Sequence, residues 1–248
     1  MNIHNDMAVS DLLGKLEAIN NNNLVEVYVP SQSSTLKFKQ LSVKQQKDLI
    51  KTGLDGALAG ATINNVFNEI IETNALEACD FNVFDKAPII TALRVHAFGG
   101  EYTEGDVKVD MSKLDDRQLV ISSPTCGSVV YQNVVSIELE VPSLKRDTTI
   151  NNAIIAKLKN NQNVEVGDAV GSLYVHEIVK FISSVTVGND IVDFTKSSAK
   201  DCMQVVESLP AKLLTEIVEF IQKFRDQETE FLTIDGTTVA LDARMFAR

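Results

Sequence analysis

Apolar residues near the N-terminus recur at helical spacing. Leu12, Leu13, Leu16 and Ile19 fall on one face of the segment from Asp11 to Ile19, which ends in a run of asparagines. This pattern predicts an amphipathic helix. A stripe this short packs on its own domain more often than it docks on a neighbouring protein, so the segment is interpreted as a packed helix or a docking arm.

The next segment changes to alternating apolar and polar positions. Val25 to Val29 alternates before Pro30, and Leu36 to Lys39 alternates after a Ser-rich turn, which predicts a β-hairpin. Ser42 and Gln45 then have the spacing of a capping box, in which each side chain satisfies a free backbone N–H at a helix start. A helix is expected to begin there and to weaken around Gly53, Gly56 and Gly60, which are spaced unlike a phosphate-binding loop.

Helical periodicity returns several times further along the chain. Asp85 to Pro88 has the form of a helix start, and Pro210 both stops one helix and starts the next. The last of these helices carries the cleanest apolar stripe in the chain, from Leu213 to Phe224. The predicted helices cover residues 64–73, 85–98, 147–158, 166–182, 199–209 and 210–224.

The middle of the chain has the pattern of strands. Val107 to Val109, Leu119 to Ile121 and a long run from Val129 to Val141 are the candidates. Two later hairpins are predicted, one over residues 185–194 around a Gly-Asn-Asp turn and one over residues 231–241 around Asp235-Gly236.

The predicted fold class is therefore α+β: amphipathic helices, an antiparallel β-rich middle segment, and N- and C-terminal β-hairpins. The expected division is residues 1–23 as an N-terminal helix or docking arm and residues 24–100 as a hairpin plus helices. Residues 101–146 are expected to form a β-rich segment or insertion, and residues 147–248 a helical region that ends in a hairpin.

Composition and charge exclude several classes of protein. With 44% hydrophobic residues in 248, the chain can bury a substantial core. The net charge is −11 without an acidic tail, and no segment gathers enough basic residues to replace the counterions of nucleic acid. The densest basic group, Lys44, Lys47 and Lys51, is interpreted as the solvated face of a helix.

The N-terminus has no signal-peptide pattern, and no apolar run approaches the roughly twenty residues that span a bilayer. The three cysteines, Cys79, Cys126 and Cys202, are odd in number and widely spaced. Reduced thiols are therefore expected rather than a disulfide framework. Together these features predict a protein made and folded inside a cell, with no integral membrane segment.

Each candidate catalytic or metal-binding motif in the sequence lacks a required residue or the required spacing. His176-Glu177 begins like the helix of a zinc protease, but Lys180 stands where the second histidine ligand should be. Cys126 in a turn-like segment could act as a nucleophile with a base such as His96, although no local pattern connects the two. The carboxylate pairs Asp106 with Asp110 and Asp190 with Asp193 have the spacing of turn chemistry, not of a calcium loop. No catalytic, cofactor or metal site is predicted.

Four segments carry a resemblance to a known family. Leu36 to Ile50 joins a strand to a helix, Ile89 to Arg94 lies within a buried helix, Ile137 to Leu144 ends a strand, and the final part runs from Leu209 to Phe246. In these segments the chain resembles the baseplate hub subunit family of T-even-like contractile-tailed bacteriophages (myoviruses). The first twenty residues and residues 101–116 diverge from it.

The resemblance implies a structural, non-enzymatic component of the central hub of the tail baseplate that acts through protein interfaces during tail assembly. Its implied partners are other baseplate and hub proteins, with a homo-oligomer in the tail also open. The implied location is the virion tail baseplate, and the host cytoplasm during assembly. A hub assembly chaperone absent from the finished virion and an enzyme with a dispersed site are kept as alternatives. The candidate interface residues are Leu12, Leu13, Leu16, Ile19, Met245 and Phe246.

Overall fold

The computed structural model describes residues 9–160 and 166–247, so residues 1–8 of the predicted N-terminal arm lie outside the described part. Most predicted helices are present. The α-helices are α1 Val9–Asn22, α2 Val43–Thr52, α3 Ala59–Asn74, α4 Lys86–Phe98, α5 Leu144–Asn160, α6 Val166–Phe181, α7 Ala199–Glu207 and α8 Ala211–Leu232. The β-strands are β1 Leu24–Val29, β2 Ser34–Lys39, β3 Glu101–Glu104, β4 Val107–Asp110, β5 Cys126–Tyr131, β6 Val135–Glu140, β7 Ile182–Val187, β8 Asp190–Asp193, β9 Thr233–Ile234 and β10 Thr237–Thr238.

All strand pairing in the described residues is antiparallel, which together with the helices confirms the α+β fold class. Strands β1 with β2, β3 with β4, and β9 with β10 form separate hairpins. The remaining strands form one four-stranded sheet in the order β5-β6-β7-β8. This sheet crosses the predicted boundary at residue 146, because β5 and β6 come from before it and β7 and β8 from after it.

The local signals that start helices act as predicted. The Ser42 side chain accepts a hydrogen bond from the Gln45 backbone N–H at 3.2 Å, and the Gln45 side chain accepts one from the Ser42 N–H at 2.9 Å, so the capping box is complete. Gly53 ends α2 where an added Cβ would lie 3.1 Å from the Cβ of Ala243. Helix α3 begins at Ala59, earlier than predicted, with Gly60 in its first turn.

One strand prediction is wrong, and another is interrupted by a turn that was not predicted. Leu119 to Ile121 is an irregular segment with Leu119 buried, so its apolar character reflects packing and not strand pairing. The run from Val129 to Val141 folds into the β5–β6 hairpin, because the chain turns at Gln132 and Asn133 with positive φ values of 50° and 54°. Asn adopts this backbone conformation readily, but Gln does so rarely, and the turn is therefore weakly marked in the sequence.

The C-terminal hairpin turns at Asp235-Gly236 as predicted, but each strand has only two residues. Phe231 and Leu232, assigned to the first strand by their pattern, are the last residues of α8. Both side chains are buried. In the sequence, two buried apolar residues at the end of a helix cannot be distinguished from the first residues of a buried strand.

The described residues bury two hydrophobic cores. The first lies among the β1–β2 hairpin, α2, α3, α4 and the C-terminal segment, and its members Phe38, Phe67 and Ile90 are at most 1% exposed. The second lies between the four-stranded sheet and α5 to α8, with Ile137 and Phe224 fully buried. The two cores meet near the start of α4, which is where the charged groups described below are located.

Candidate interaction surfaces and a buried charge cluster

Helix α1 is amphipathic, and its apolar stripe faces solvent. At 3.6 residues per turn the stripe covers about one third of the helix circumference. Neither core includes a described side chain of α1. The structure therefore does not pack this stripe on the chain's own domain, which leaves the docking interpretation open. The members of the α1 stripe and their exposed fractions are Val9 73%, Leu12 46%, Leu13 59%, Leu16 47% and Ile19 54%.

The C-terminal candidates Met245 and Phe246 have a different environment. They are 2% and 1% exposed and belong to the first core. The Phe246 ring lies 6.2 Å from that of Phe67 and 6.4 Å from that of Phe98, measured between centroids. Their side chains therefore pack inside the fold of the single chain, and their assignment to an interface stays a prediction.

The predicted lysine stripe of α2 is exposed and shares its side of the helix with apolar residues. Two of these apolar side chains are among the most exposed in the described structure, Val43 at 82% and Leu54 at 85%, and Ile50 between them is 40% exposed. The opposite side of α2 buries Leu49 and Thr52 in the fold. We call the exposed side the α2 face; its members are Val43, Lys44, Lys47, Ile50 and Lys51 of the helix, together with Leu54 in the turn that follows it.

A buried carboxylate lies where the two cores meet. Asp147, in the first turn of α5, is paired with Lys86 of α4 at 2.5 Å and with Lys180 of α6 at 2.8 Å. The amides of Asn68 and Asn151 also donate to its Oδ2 atom, at 2.9 and 3.2 Å. Four donors thus surround one carboxylate. Their hydrogen bonds and positive charges replace the water that a buried charge loses.

The cluster continues to the surface. Lys180 also pairs with Glu177, and Glu177 lies 3.4 Å from Arg225 of α8. These side chains line a cleft of about 380 Å³ between the two cores. Because the charges pair with one another, the cluster fastens α4, α5, α6 and α8 together, and its carboxylate is already occupied by protein donors.

Burial and pairing act in opposite directions on the pKa values of this cluster. Burial alone would raise the pKa of Asp147, but the charges of Lys86 and Lys180 and their hydrogen bonds outweigh it and hold the pKa far below its usual value. Burial lowers the pKa of Lys86, and pairing with Asp147 only partly offsets this. For Lys180 the two acidic neighbours, Glu177 and Asp147, outweigh burial and raise the pKa.

The depressed pKa of Asp147 predicts a specific dependence of stability on pH. Its contribution is complete above the unfolded-state pKa, near 4, and is lost as the pH falls toward the much lower folded-state pKa. We therefore expect the stability difference between the wild type and Asp147→Asn to shrink by about 1.4 kcal/mol for each pH unit below about 4. Urea unfolding of both proteins between pH 7 and pH 3 measures this; a constant difference would contradict it.

The motifs singled out in the sequence are not assembled into a catalytic site. His176 is 2% exposed, its Nδ1 lies 2.6 Å from the carbonyl oxygen of Ser172, and burial lowers its pKa. His96 is hydrogen-bonded to Gln40 at 2.7 Å, and no hydrogen bond joins it to Cys126. Within the described residues no group of three or more His, Cys, Asp or Glu could hold a metal ion, and no helix is long and apolar enough to cross a membrane.

Sequence reasoning missed the charge cluster. Its signal in the sequence is Lys180, a lysine between two buried apolar residues of α6 at the position where a zinc motif would have its second histidine. Arg146 was missed as well. Its guanidinium donates to the carbonyl oxygens of Val179 at 2.9 Å and Lys180 at 2.7 Å, and also to that of Ile182, so it satisfies the C-terminal end of α6.

Comparison with known proteins identifies the family. The family model for the T4 bacteriophage base plate protein matches residues 22–232. The chain belongs to this family. No curated protein and no solved structure gives a significant match. The predicted resemblance to T-even-like baseplate proteins is thus confirmed at the level of the baseplate family.

Some candidate surfaces of this baseplate protein lie inside the residues that the family model matches, and others lie outside them. The α2 face, the charge cluster and most of both cores lie within the matched residues. The α1 stripe precedes them, and Met245 and Phe246 follow them. The exposed α1 stripe therefore lies outside the residues that the family model matches.

Proposed function

We propose that this baseplate protein is a structural component of the central hub of the phage tail, and that it is assembled in the host cytoplasm through α1. Family membership supports the baseplate role. The observation that carries the finer proposal is the α1 stripe, five apolar side chains on one helical face that neither core covers. Exposure of an apolar helical face to water is unfavourable, and docking into a partner's apolar groove removes this exposure.

The charge cluster supports a structural role more than a catalytic one. Asp147 accepts from two lysines and two amides, so both oxygens of the carboxylate are already bound by donors of the protein itself. A cleft of about 620 Å³ lies beside Arg146, but that guanidinium is bound to main-chain carbonyls. We therefore infer that surface burial is the activity of the protein.

Breaking the α1 stripe should block assembly without unfolding the protein. We expect Leu12→Ser with Leu16→Ser to reduce incorporation into tails at least about tenfold, because each apolar side chain that loses its burial weakens docking by a factor of this order or more. The melting temperature should stay unchanged, because both side chains are about half exposed. Quantitative mass spectrometry of tails purified after complementation measures incorporation.

The matched control is Val120→Ser with Ile191→Ser, which removes two exposed apolar side chains elsewhere, 61% and 68% exposed. Incorporation of this control should equal that of the wild type. The same mass spectrometry separates a permanent subunit from an assembly chaperone. A subunit appears in a fixed ratio to other hub proteins, whereas a chaperone is absent from the particle although the hub does not form without it.

A further inference from the structure

The two outer strands of the four-stranded sheet differ in charge. Strand β8, at one edge, begins and ends with an aspartate, Asp190 and Asp193. Charged residues on an edge strand oppose its pairing with a further strand. Strand β5, at the other edge, has the uncharged sequence Cys-Gly-Ser-Val-Val-Tyr in a chain of net charge −11. The β5 edge therefore lacks the protection that β8 has.

The β5 edge presents backbone groups that no strand in the described structure uses. In antiparallel pairing, alternate residues direct their N–H and C=O toward the neighbouring strand, and the residues between them direct theirs away. The Val141 N–H donates to the Thr125 carbonyl oxygen at 2.9 Å, so every second residue from Thr125 onward faces β6. Cys126, Ser128 and Val130 therefore face outward. Within the described residues β5 pairs with β6 alone, so this edge can accept another strand.

A groove of about 350 Å³ lies between β5 and α8. Its α8 side carries Phe220 in the middle, the acidic Glu216 and Glu219 before it, and Lys223 after it. Neither the two carboxylates nor Lys223 has an ion pair among the described residues. Beside the β5 edge there is thus a helical face that is acidic at one end and basic at the other.

From these features we infer that β5 pairs with β5 of a second copy, antiparallel and around a two-fold axis at Ser128. In this register Ser128 lies opposite Ser128 of the second copy, and Cys126 lies opposite Val130. All three outward residues of each strand then exchange hydrogen bonds with the other strand. The four-stranded sheets of the two copies become one sheet of eight strands, with no charged residue in the central pair.

The charges on α8 favour a second copy over an unrelated strand. Helix α8 packs on one face of the sheet, so a two-fold axis perpendicular to the sheet also reverses the direction of α8. Lys223 of each copy then lies toward Glu216 and Glu219 of the other. A face that is acidic at one end and basic at the other is complementary to its own reversed copy, and the two-fold axis forms this contact twice.

The contact is isologous, so it closes at the dimer and leaves the α1 stripe free for the docking proposed above. The inference thus goes beyond the proposed function and is independent of it. Two short strands and part of one helix bury less than the standard interface of about 1,600 Å², so the dimer is expected to be weak and to depend on protein concentration.

Sedimentation equilibrium of the full-length protein tests the strand contact. Ser128→Lys places two lysines opposite each other at the two-fold axis, and should weaken dimerisation at least about tenfold. Circular dichroism should show an unchanged melting temperature, because the side chain is exposed. The matched control, Ile191→Lys, changes a 68% exposed side chain on the β8 edge and should dimerise like the wild type.

Charge reversal on α8 tests whether the partner is a second copy. Lys223→Glu alone makes the helical face wholly acidic, and should weaken the dimer about tenfold. Adding Glu216→Lys and Glu219→Lys to Lys223→Glu reverses every charge on the face and should restore dimerisation, because the reversed face is again complementary to itself. Lys212→Glu, an exposed change on α8 outside the groove, is the control and should have no effect.

A wild type that stays monomeric up to its solubility limit would overturn the inference, and so would a Ser128→Lys protein that dimerises like the wild type. A triple charge reversal as weak as Lys223→Glu alone would also overturn it. The variant Leu12→Ser with Leu16→Ser should dimerise normally, so a failure of the dimer and a failure of docking through α1 are observed separately.

Discussion

Replacement of Asp147 with asparagine should lower the free energy of unfolding by about 3–5 kcal/mol at pH 7. The change keeps the shape of the side chain but removes the ion-pair partner of Lys86, whose side chain is 7% exposed. Lys180 retains Glu177 and suffers less. Urea unfolding followed by circular dichroism measures the difference, and a loss below about 1 kcal/mol would show that Asp147 is not the centre of the cluster.

Two further variants define the cause. Glu26→Gln removes the carboxylate of a cross-strand pair with Lys37, 3.3 Å apart and exposed, so its cost should be less than about 1 kcal/mol. Asp147→Asn combined with Lys86→Met removes both charges of the buried pair, and should recover a substantial part of the loss because no unpaired lysine is then left at position 86. Failure of the double variant to recover stability would assign the loss to packing.

Truncation of Phe246 to alanine should cost about 3–5 kcal/mol of stability, as is typical when a large buried aromatic side chain is removed. The ring is 1% exposed and packs near Phe67 and Phe98, and the Phe246 carbonyl oxygen accepts a hydrogen bond from Gln46 at 3.2 Å. A shift in the midpoint of urea unfolding measures the cost. The sequence alone suggested instead that this residue belongs to an interface.

The control for Phe246 is Leu16→Ala, an apolar truncation on the exposed α1 stripe, with an expected effect on stability within about 0.5 kcal/mol. The two variants should separate cleanly: Phe246→Ala changes unfolding, and Leu16→Ala changes association only. A Phe246→Ala protein of normal stability that no longer assembles would restore the interface interpretation.

Signals that act over a few residues allowed much of the fold to be predicted. The capping box at Ser42, the turn at Asp235-Gly236, the position of Pro88 in the first turn of α4 and the start of α8 after Pro210 are all marked by neighbouring residues. The turn at Gln132 was missed because its positive φ is imposed by the pairing of β5 with β6 and is not favoured by Gln itself.

The candidate site depended on contacts between distant residues, which local patterns do not encode. Lys86 and Asp147 are 61 positions apart, and each taken alone has the appearance of a surface charge near a helix start. Only the approach of α4, α5 and α6 brings the groups together in the interior. Periodicity identifies which face of a helix is apolar, but it contains no information about which charges will meet.

The sequence by itself determined the fold class, the β1–β2 and β7–β8 hairpins, the Asp235-Gly236 turn, most helices and the membership of the chain in a baseplate family, because these follow from local periodicity, turn chemistry and shared sequence. Only the tertiary structure decided whether each apolar stripe is buried or exposed. The residues of α1 and those around Phe246 are equally apolar, yet one group is exposed and the other buried. The physical reason is that burial depends on whether a complementary surface lies opposite, and that surface comes from a distant part of the chain or from another molecule.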